Sequence, residues 1–200
     1  MTRTKQYDAA YFQRWYHAAG AAGRSPAVLA RKVALAVATA EYHLQRPVRS
    51  VLDVGCGEGA WRAPLRRLRP GLAYMGFDAS PYAVARFGGR RQLHLARFGD
   101  FAHLRPCAPV DLLVCSDVIH YLDLRELDRG LPGLASLCAG VAFLETFTRE
   151  DPIEGDTVGF KRRSAQVYRA RFAGAGFTAL GSHLYLAPAL RERMTALERA

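Results

Sequence analysis

Short apolar segments alternate with helical segments from Ser50 onwards, and this alternation constrains the fold more than any other feature. Continuous apolar strands separated by helices are typical of a parallel sheet that helices cover on both faces. We therefore predict an α/β fold with a doubly wound, mostly parallel sheet of about six to seven strands. The predicted strands are Ser50–Val54, Tyr74–Asp78, Leu93–Phe98, Val110–Cys115 and Gly140–Glu145, with one or two more between Phe177 and Leu186.

The region before the first strand is helical in pattern. Its first part carries aromatic residues at a spacing of four, which places them on one helix face: Tyr7, Tyr11 and Trp15. Gly20 and Gly23 interrupt the pattern, and a second helix is expected from Pro26 to about Gln45. We expect an N-terminal helical cap or lid over 1–46 and a ligand-binding domain over 47–200.

The last quarter of the chain has weaker signals. A helix is expected over Lys161–Ala175, because glycines follow its apolar pattern. A charged terminal helix is expected from Pro188. The residues between these two helices are sufficient only for short strands, so a seventh strand is expected to be either truncated or absent.

The composition excludes several classes of protein. The most apolar helical stretch, 28–44, contains Arg31, Lys32, Glu41 and His43, so no membrane span is expected. The N-terminus has no apolar run typical of a secretory signal, which predicts a cytoplasmic protein. The four cysteines form no CxxC pair and no zinc-type spacing with histidine, so neither a disulfide framework nor a metal site is expected.

The chain is basic, with a formal net charge of +10. Arginine greatly outnumbers lysine, which is typical of a GC-rich, bacterial genome. A basic protein can bind nucleic acid, but no basic stripe is interleaved with aromatic residues here. Nucleic-acid binding therefore stays open as a less favoured alternative.

Every predicted strand ends in glycine or a polar residue. Because the carboxyl ends of parallel strands meet at one edge, these residues are expected to form one ligand site near the switch point of the sheet. They are Asp53 to Gly59, Asp78, Gly99 and Asp100, Ser116 and Asp117, and Glu145 and Thr146.

The chemistry of this edge favours a ligand with mixed charge. The amides of a glycine loop suit a carboxylate, whereas Asp53 beside that loop would repel a pyrophosphate and attract a cation. Asp78 ends the second strand, where an acid can accept hydrogen bonds from both ribose hydroxyls.

Four motifs follow one another along the chain: Val51-Leu-Asp-Val-Gly-Cys-Gly-Glu-Gly59, Gly76-Phe-Asp-Ala-Ser80, Phe98-Gly-Asp-Phe101 and Asp111-Leu-Leu-Val-Cys-Ser-Asp-Val-Ile-His-Tyr-Leu122. In this order they resemble the motifs of class I S-adenosylmethionine-dependent methyltransferases of the small-molecule type. The resemblance covers about 48–180 and implies a Rossmann-like fold, with S-adenosylmethionine as cofactor.

The resemblance implies a set of cofactor-binding residues. The glycine loop would line the methionine part, Asp78 and Ala79 would bind the ribose and flank the adenine, and Asp100 and Phe101 would contact the adenine. A backbone carbonyl of Cys115 or Ser116 would face the cofactor ammonium. The loop residues concerned are Asp53, Gly55, Cys56 and Gly57.

Methyl transfer from a sulfonium needs mainly alignment of the reactants, so a catalytic base is optional. His120 and Tyr121, just past the fourth strand, are the candidates to contact or deprotonate an acceptor. His120 can equally be a packing residue at a helix start, and Asp117 can bind the acceptor or cap the turn. Candidate acceptor-binding residues are Tyr11, Trp15, Asp117 and Glu145.

We thus expect methyl transfer to an oxygen or nitrogen of a small-molecule acceptor. The motifs of adenine-amino and cytosine-carbon methylation are missing from the sequence. Two alternatives stay open, an RNA or protein methyltransferase and a cofactor-binding protein without turnover. The acceptor and the oligomeric state are left open as well.

Overall fold

Seven strands form one sheet in the computed structural model, which describes residues 7–17, 25–153 and 155–197. The strand order is β3-β2-β1-β4-β5-β7-β6, with β7 antiparallel to both of its neighbours and the other pairs parallel. The strands are β1 Ser50–Val54, β2 Ala73–Asp78, β3 Leu93–Leu95, β4 Val110–Ser116, β5 Cys138–Glu145, β6 Thr178–Gly181 and β7 Leu184–Leu186.

Helices connect these strands. The α-helices are α1 Ala9–Phe12, α2 Pro26–Leu44, α3 Arg62–Leu68, α4 Pro81–Arg91, α5 Leu124–Ser136 and α6 Ala165–Gly174. A π-helix over Gln13–His17 continues α1, and 3-10 helices cover Phe98–Ala102, Ile119–Tyr121 and Pro188–Arg193. The predicted doubly wound, mostly parallel sheet is confirmed, and its seventh strand is present but short. Among the helices described, none is long and apolar enough to cross a membrane.

The core has two layers because successive strand residues face opposite sides of the sheet. Leu112 and Val114 of β4 pack in a cluster with residues of α2 and α3. Leu113 and Cys115, the residues that alternate with them, pack with residues of α5 and α6. Helices therefore cover both faces, as the continuous apolar strands predicted.

The sheet has its switch point between β1 and β4. Asp53 of β1 pairs with Gly76 of β2 on one side and with Val114 of β4 on the other. The chain runs outward from β1 to β3 and then returns to β4, so the connections leave β1 and β4 in opposite directions. A crevice forms at the carboxyl ends of strands at such a point.

Several predicted boundaries were wrong. The third strand ends at Leu95 because a 3-10 helix begins at Phe98, and Asp100 accepts the amide of Arg97 at 2.8 Å to cap it. The helix expected from Lys161 begins at Ala165, since Lys161 donates its amide to the carbonyl of His120 instead.

Both chain ends also differ from the predictions. The terminal segment from Pro188 is 3-10 rather than α-helical. The first helix begins at Ala9 because Asp8 caps it, while the carbonyl of Tyr7 accepts a hydrogen bond from Ser80. The predicted break at Gly20 and Gly23 lies outside the described residues.

Candidate functional site

A cavity of about 1060 Å³ opens at the carboxyl edge of the sheet. Its walls come from the ends of β1, β2, β4 and β5, from the segment after β3, and from α1 with its π-helical continuation. The edge that the sequence predicted as a ligand site is thus a single hollow. Within it, the residues fall into a glycine-loop end and an opposite end beyond β4 and β5.

The glycine loop follows β1. Gly55 and Gly57 have φ values of 73° and 55°, a left-handed conformation that glycine adopts without strain. The amides of Gly55 and Cys56 both donate to the carbonyl of Phe77, at 2.7 and 3.0 Å. These hydrogen bonds fold the loop back over the end of β2, so Gly55 and Cys56 line the cavity.

Asp78 joins the glycine loop to the start of α4. One carboxylate oxygen accepts the amide of Gly57 at 2.7 Å, and the other accepts the amide of Ser80 at 2.8 Å. Burial raises the pKa of Asp78, and the two amide hydrogen bonds oppose that shift. Since a carboxylate offers about four lone pairs, Asp78 keeps the capacity to accept hydrogen bonds from a ligand in the cavity.

Asp53 lies deeper, at the floor of the cavity. It is 1% exposed, and the Tyr74 hydroxyl donates to its carboxyl at 2.7 Å. Burial raises the pKa of Asp53 to about 7; the Tyr74 hydrogen bond opposes the shift and the charge of Asp78 adds to it. The floor therefore holds a carboxyl group whose ionisation a nearby cation would favour.

The N-terminal aromatic segment covers the glycine loop. A Cβ placed on Gly57 would lie 2.2 Å from the Tyr16 hydroxyl oxygen, so only glycine permits this close approach. His17 lies 2.9 Å from the carboxylate of Glu58. Burial raises the pKa of Tyr7 to about 12 and also raises that of Tyr11, which keeps both phenols protonated at neutral pH.

The opposite end of the cavity contains an ion pair between the buried Glu145 and the half-buried Lys32. Glu145, at the end of β5, accepts a hydrogen bond from Lys32 of α2 at 2.5 Å and one from the Ser116 hydroxyl at 2.6 Å. Glu145 is 4% exposed, and pairing compensates the cost of burying its charge. The pair also links α2 to the end of the sheet.

His120 and Tyr121 follow β4 and line the same end of the cavity. His120 is buried, and its ring centroid lies 4.3 Å from that of Tyr121 and 5.0 Å from that of Phe160. The Tyr121 hydroxyl donates to the carbonyl of Asp156 at 2.7 Å. Both side chains therefore belong to an ordered wall.

The cavity contains most of the residues that the sequence singled out. Those that line it are Asp53, Gly55, Cys56, Asp78, Ala79, Ser116, Tyr11, Trp15, Asp117, His120, Tyr121 and Glu145. Gly57 does not line the wall but reaches Asp78 through its amide.

Three predicted cofactor contacts lie outside the cavity wall. The exposed Asp100 turns back to accept the amide of Arg97, Phe101 packs against Phe77 in the core, and Cys115 is fully buried among apolar residues. Ala96, Arg97 and Phe98 line the wall at that place instead. The Asp100 carboxylate caps its own 3-10 helix, and its contact with adenine stays a prediction.

Sequence reasoning also missed Lys32. The chain has only three lysines, and this one lies between Leu29 and Ala36 on the stripe of α2 that faces the sheet. A charged residue on a buried stripe needs a partner, and that signal could have identified it. Among the described residues, no group of His, Cys, Asp or Glu is placed to hold a metal ion.

Comparison with known proteins agrees with this geometry. Residues 52–140 match a family model described as a methyltransferase domain. This region of the chain is similar to a methyltransferase domain, and the seven-stranded sheet around it has the class I fold. S-adenosylmethionine is the cofactor of such domains. No curated protein matches the sequence.

Solved structures share the fold of the methyltransferase domain. An amino pentose methyltransferase from Micromonospora echinaspora, involved in calicheamicin biosynthesis and solved with S-adenosylmethionine, has a TM-score of 0.62 at 18% identity, over 90% of this chain and 95% of that chain. A sugar N-methyltransferase from a Streptoalloteichus species has a TM-score of 0.62 at 20% identity, over 91% and 92%. An O-methyltransferase from neocarzinostatin biosynthesis, in complex with S-adenosylhomocysteine and 1,4-dihydroxy-2-naphthoic acid, has a TM-score of 0.54 at 22% identity, over 90% and 63%.

The residues present in the methyltransferase domain fit its cofactor. S-adenosylmethionine carries a ribose diol, a sulfonium, an ammonium and a carboxylate. The cavity offers the Asp78 carboxylate, the backbone of the glycine loop and the buried carboxyl of Asp53. The two acids suit the ribose diol and the cationic groups of the ligand. The expected binding of its carboxylate by loop amides stays a prediction, because the amides of Gly55, Cys56 and Gly57 donate within the protein.

Proposed function

We propose that the protein transfers a methyl group from S-adenosylmethionine to an oxygen or nitrogen atom of a small-molecule acceptor. The observation that carries this proposal is the single cavity of about 1060 Å³, in which a glycine-loop end and an end of acids and aromatic rings share one space. The first end suits the cofactor, and the second leaves room for an acceptor of modest size.

In this proposal the glycine-loop end binds the cofactor. Asp78 accepts hydrogen bonds from the ribose hydroxyls, with Ala79 beside the base, and Gly55, Cys56 and Gly57 contact the methionine part. Ala96, Arg97 and Phe98 contact the adenine in place of Asp100 and Phe101. The support for these roles is the position of each residue on the cavity wall and the hydrogen bond between Gly57 and Asp78.

The other end binds the acceptor. Tyr11 and Trp15 cover it from the N-terminal segment, and Asp117, Glu145 and Tyr121 provide polar groups. The cofactor supplies a methyl carbon activated by positive sulfur, so the protein contributes mainly orientation. Alignment of two reactants can lower a barrier by about 7–11 kcal/mol.

Similar structures guide the choice of acceptors for testing. Two of them are sugar methyltransferases, for an amino pentose and for a sugar nitrogen, and the third was solved with a dihydroxynaphthoic acid. We therefore propose an acceptor with a free amine or hydroxyl group on a compact ring.

The experiment measures release of S-adenosylhomocysteine from purified protein and S-adenosylmethionine. Amino sugars and 1,4-dihydroxy-2-naphthoic acid are the small acceptors, and total RNA and a denatured protein extract are the macromolecular ones. We expect turnover only with small molecules. Salt-sensitive turnover with RNA, or turnover with protein, would assign a macromolecular acceptor. Cofactor binding without turnover on any acceptor would favour a non-catalytic binding protein.

A further inference from the structure

Asp117 and His120 form a pair at the acceptor end of the cavity. Nε2 of His120 lies 3.4 Å from Oδ1 of Asp117, and both residues line the cavity. The His120 side chain is 2% exposed, whereas the Asp117 side chain is 49% exposed. Of the two, the carboxylate therefore presents the larger surface to a molecule in the cavity.

The other ring nitrogen of His120 fixes the tautomer. The amide of Phe147 donates to Nδ1 at 3.4 Å, so Nδ1 carries a lone pair. The proton of the neutral ring then lies on Nε2, the nitrogen that faces Asp117. An imidazole in this state donates towards the carboxylate and has no free lone pair with which to take a proton from an acceptor.

The surroundings hold this arrangement in place. The His120 ring packs on Phe147 and Phe160, with centroids 5.6 and 5.0 Å away, and its carbonyl accepts the amide of Lys161 at 2.8 Å. Asp117 has a φ of 63°, which is uncommon for a residue with a side chain, and its amide donates to the carbonyl of Glu145 at 3.1 Å.

We propose that Asp117 is the catalytic base and that His120 is a positioning residue, which orients the carboxylate and donates a hydrogen bond to its ionised form. This inference rests on the proposed function and specifies its acceptor as a hydroxyl or a protonated amine. The acceptor atom bonds to the methyl carbon as the carbon–sulfur bond breaks, with the electron pair going to sulfur. The proton of the acceptor passes to the Asp117 carboxylate and from there to solvent. A protonated amine loses this proton before its nitrogen attacks, whereas a hydroxyl loses it as its oxygen attacks.

Other titratable groups face the same space, and they enter any pH dependence. They come from the N-terminal segment, α2, β1 and its loop, β2, α4, the segment after β3, α5, β5 and the loop after β5. They are Tyr7, Asp8, Tyr11, Tyr16, Lys32, Asp53, Cys56, Glu58, Asp78, Tyr82, Arg91, Arg97, Glu126, Glu145 and Asp156, in addition to Tyr121. Lys32 is paired with Glu145, so these two charges balance each other. Substitution of Asp117 alone shows how much this residue contributes to the pH dependence of kcat, apart from the other titratable groups of the cavity.

The kinetic test compares Asp117→Asn with Asp128→Asn. Asp128 lies on α5, outside the cavity wall, in an exposed ion pair with Arg171, so it is a matched control. With the most active acceptor of the panel, we expect Asp117→Asn to lower kcat by about 100-fold or more at pH 7. The difference in kcat between this variant and wild type should become smaller at high pH, where the acceptor loses its proton without a base. The Kd for S-adenosylhomocysteine should stay within about twofold of wild type. A kcat within threefold of wild type at every pH would overturn the role of Asp117.

The positioning role of His120 has its own kinetic signature. His120→Phe removes the donor, so the pKa on the acidic limb of the kcat profile should rise. His120→Gln, which can donate an amide proton, should restore part of the loss. If both variants keep the wild-type profile, His120 has a packing role only.

A spectroscopic test needs no acceptor and so stands apart from the proposed function. Nitrogen-15 spectra of histidine-labelled protein, assigned with His120→Phe, should show His120 protonated at Nε2. The Nε2 proton signal should move in Asp117→Asn and stay unchanged in Asp128→Asn. A ring protonated at Nδ1 would overturn the arrangement. Failure of the wild type to methylate any acceptor would instead overturn the proposed function and leave this result standing.

Discussion

Asp78 has two tasks at one position. Its carboxylate accepts the amides of Gly57 and Ser80, which ties the glycine loop to the N-terminus of α4. The same carboxylate lines the cavity, where we propose that it binds the ribose hydroxyls. The conformation of the glycine loop and the proposed binding of the ribose thus both depend on the Asp78 carboxylate.

Substitution Asp78→Ala should weaken cofactor binding by roughly 10–150-fold, because hydrogen bonds to a charged acceptor are worth about 1.5–3 kcal/mol. Titration calorimetry with S-adenosylhomocysteine measures the change in Kd. Asp128→Asn is the control and should leave Kd unchanged. An unchanged Kd in Asp78→Ala would mean that the ribose lies elsewhere.

Asp53 should make stability depend on pH. Its pKa is raised to about 7 in the folded protein by burial, against about 4 in the unfolded chain. The protonated Asp53 carboxyl contributes to the free energy of unfolding. This contribution is fully present below about pH 4 and is lost as the pH rises through about 7.

The measurement is the free energy of unfolding of wild type and Asp53→Asn between pH 4 and pH 8. The difference between the two proteins should change steadily up to about pH 7 and then level off, since the neutral Asn removes the ionisation but still accepts the Tyr74 hydroxyl. A difference that is independent of pH would show that Asp53 titrates normally.

The helix α5 and the 3-10 helix after β3 approach each other closely. A Cβ on Gly130 would lie 2.2 Å from the carbonyl oxygen of Phe98, and one on Gly133 would lie 1.8 Å from that of Phe101. Backbone atoms cannot move aside as a flexible side chain can. The two glycines therefore fix the distance between α5 and the segment that forms part of the cavity wall.

Gly133→Ala should lower the free energy of unfolding by about 1–3 kcal/mol, the usual cost of overpacking. Gly174→Ala is the matched control, because nothing lies within 4 Å of its Cβ position at the end of α6. That variant should be neutral or stabilising by up to about 1 kcal/mol. Equal stability of the two variants in urea unfolding would contradict the close packing.

The sequence predicts the central elements because several local signals agree there. Pro26 and Pro81 mark helix starts, Asp123 caps α5, and the apolar strands are long enough to be recognised. The predicted length of the third strand was wrong beyond Leu95, because the side chain of Asp100 caps a 3-10 helix there. Lys32 was missed because its partner lies 113 residues away in the chain. Contacts that depend on the packing of distant elements leave little local signal.

The N-terminal segment and the sheet enclose the cavity together. Ser80 donates to the carbonyl of Tyr7, and Tyr16 approaches Gly57, so the cover contacts the ends of both β1 and β2. A ligand held between the cover and the sheet binds the folded state only and should stabilise it.

S-adenosylhomocysteine at about 100 times its Kd should stabilise the protein by about 2.7 kcal/mol. For a chain of this size, that corresponds to a rise in Tm of about 5–10 °C. Thermal unfolding monitored by circular dichroism gives the shift. At the same concentration, Asp78→Ala should show a much smaller rise, and an equal rise in both proteins would contradict binding at Asp78.

A crystal structure with S-adenosylhomocysteine would show where the cofactor lies in the cavity. We expect ribose hydroxyls within hydrogen-bond distance of the Asp78 carboxylate, adenine near Ala79 and Phe98, and the sulfur directed towards the space beside Asp117. A ligand bound outside this cavity, or one whose ribose does not contact Asp78, would contradict this expectation.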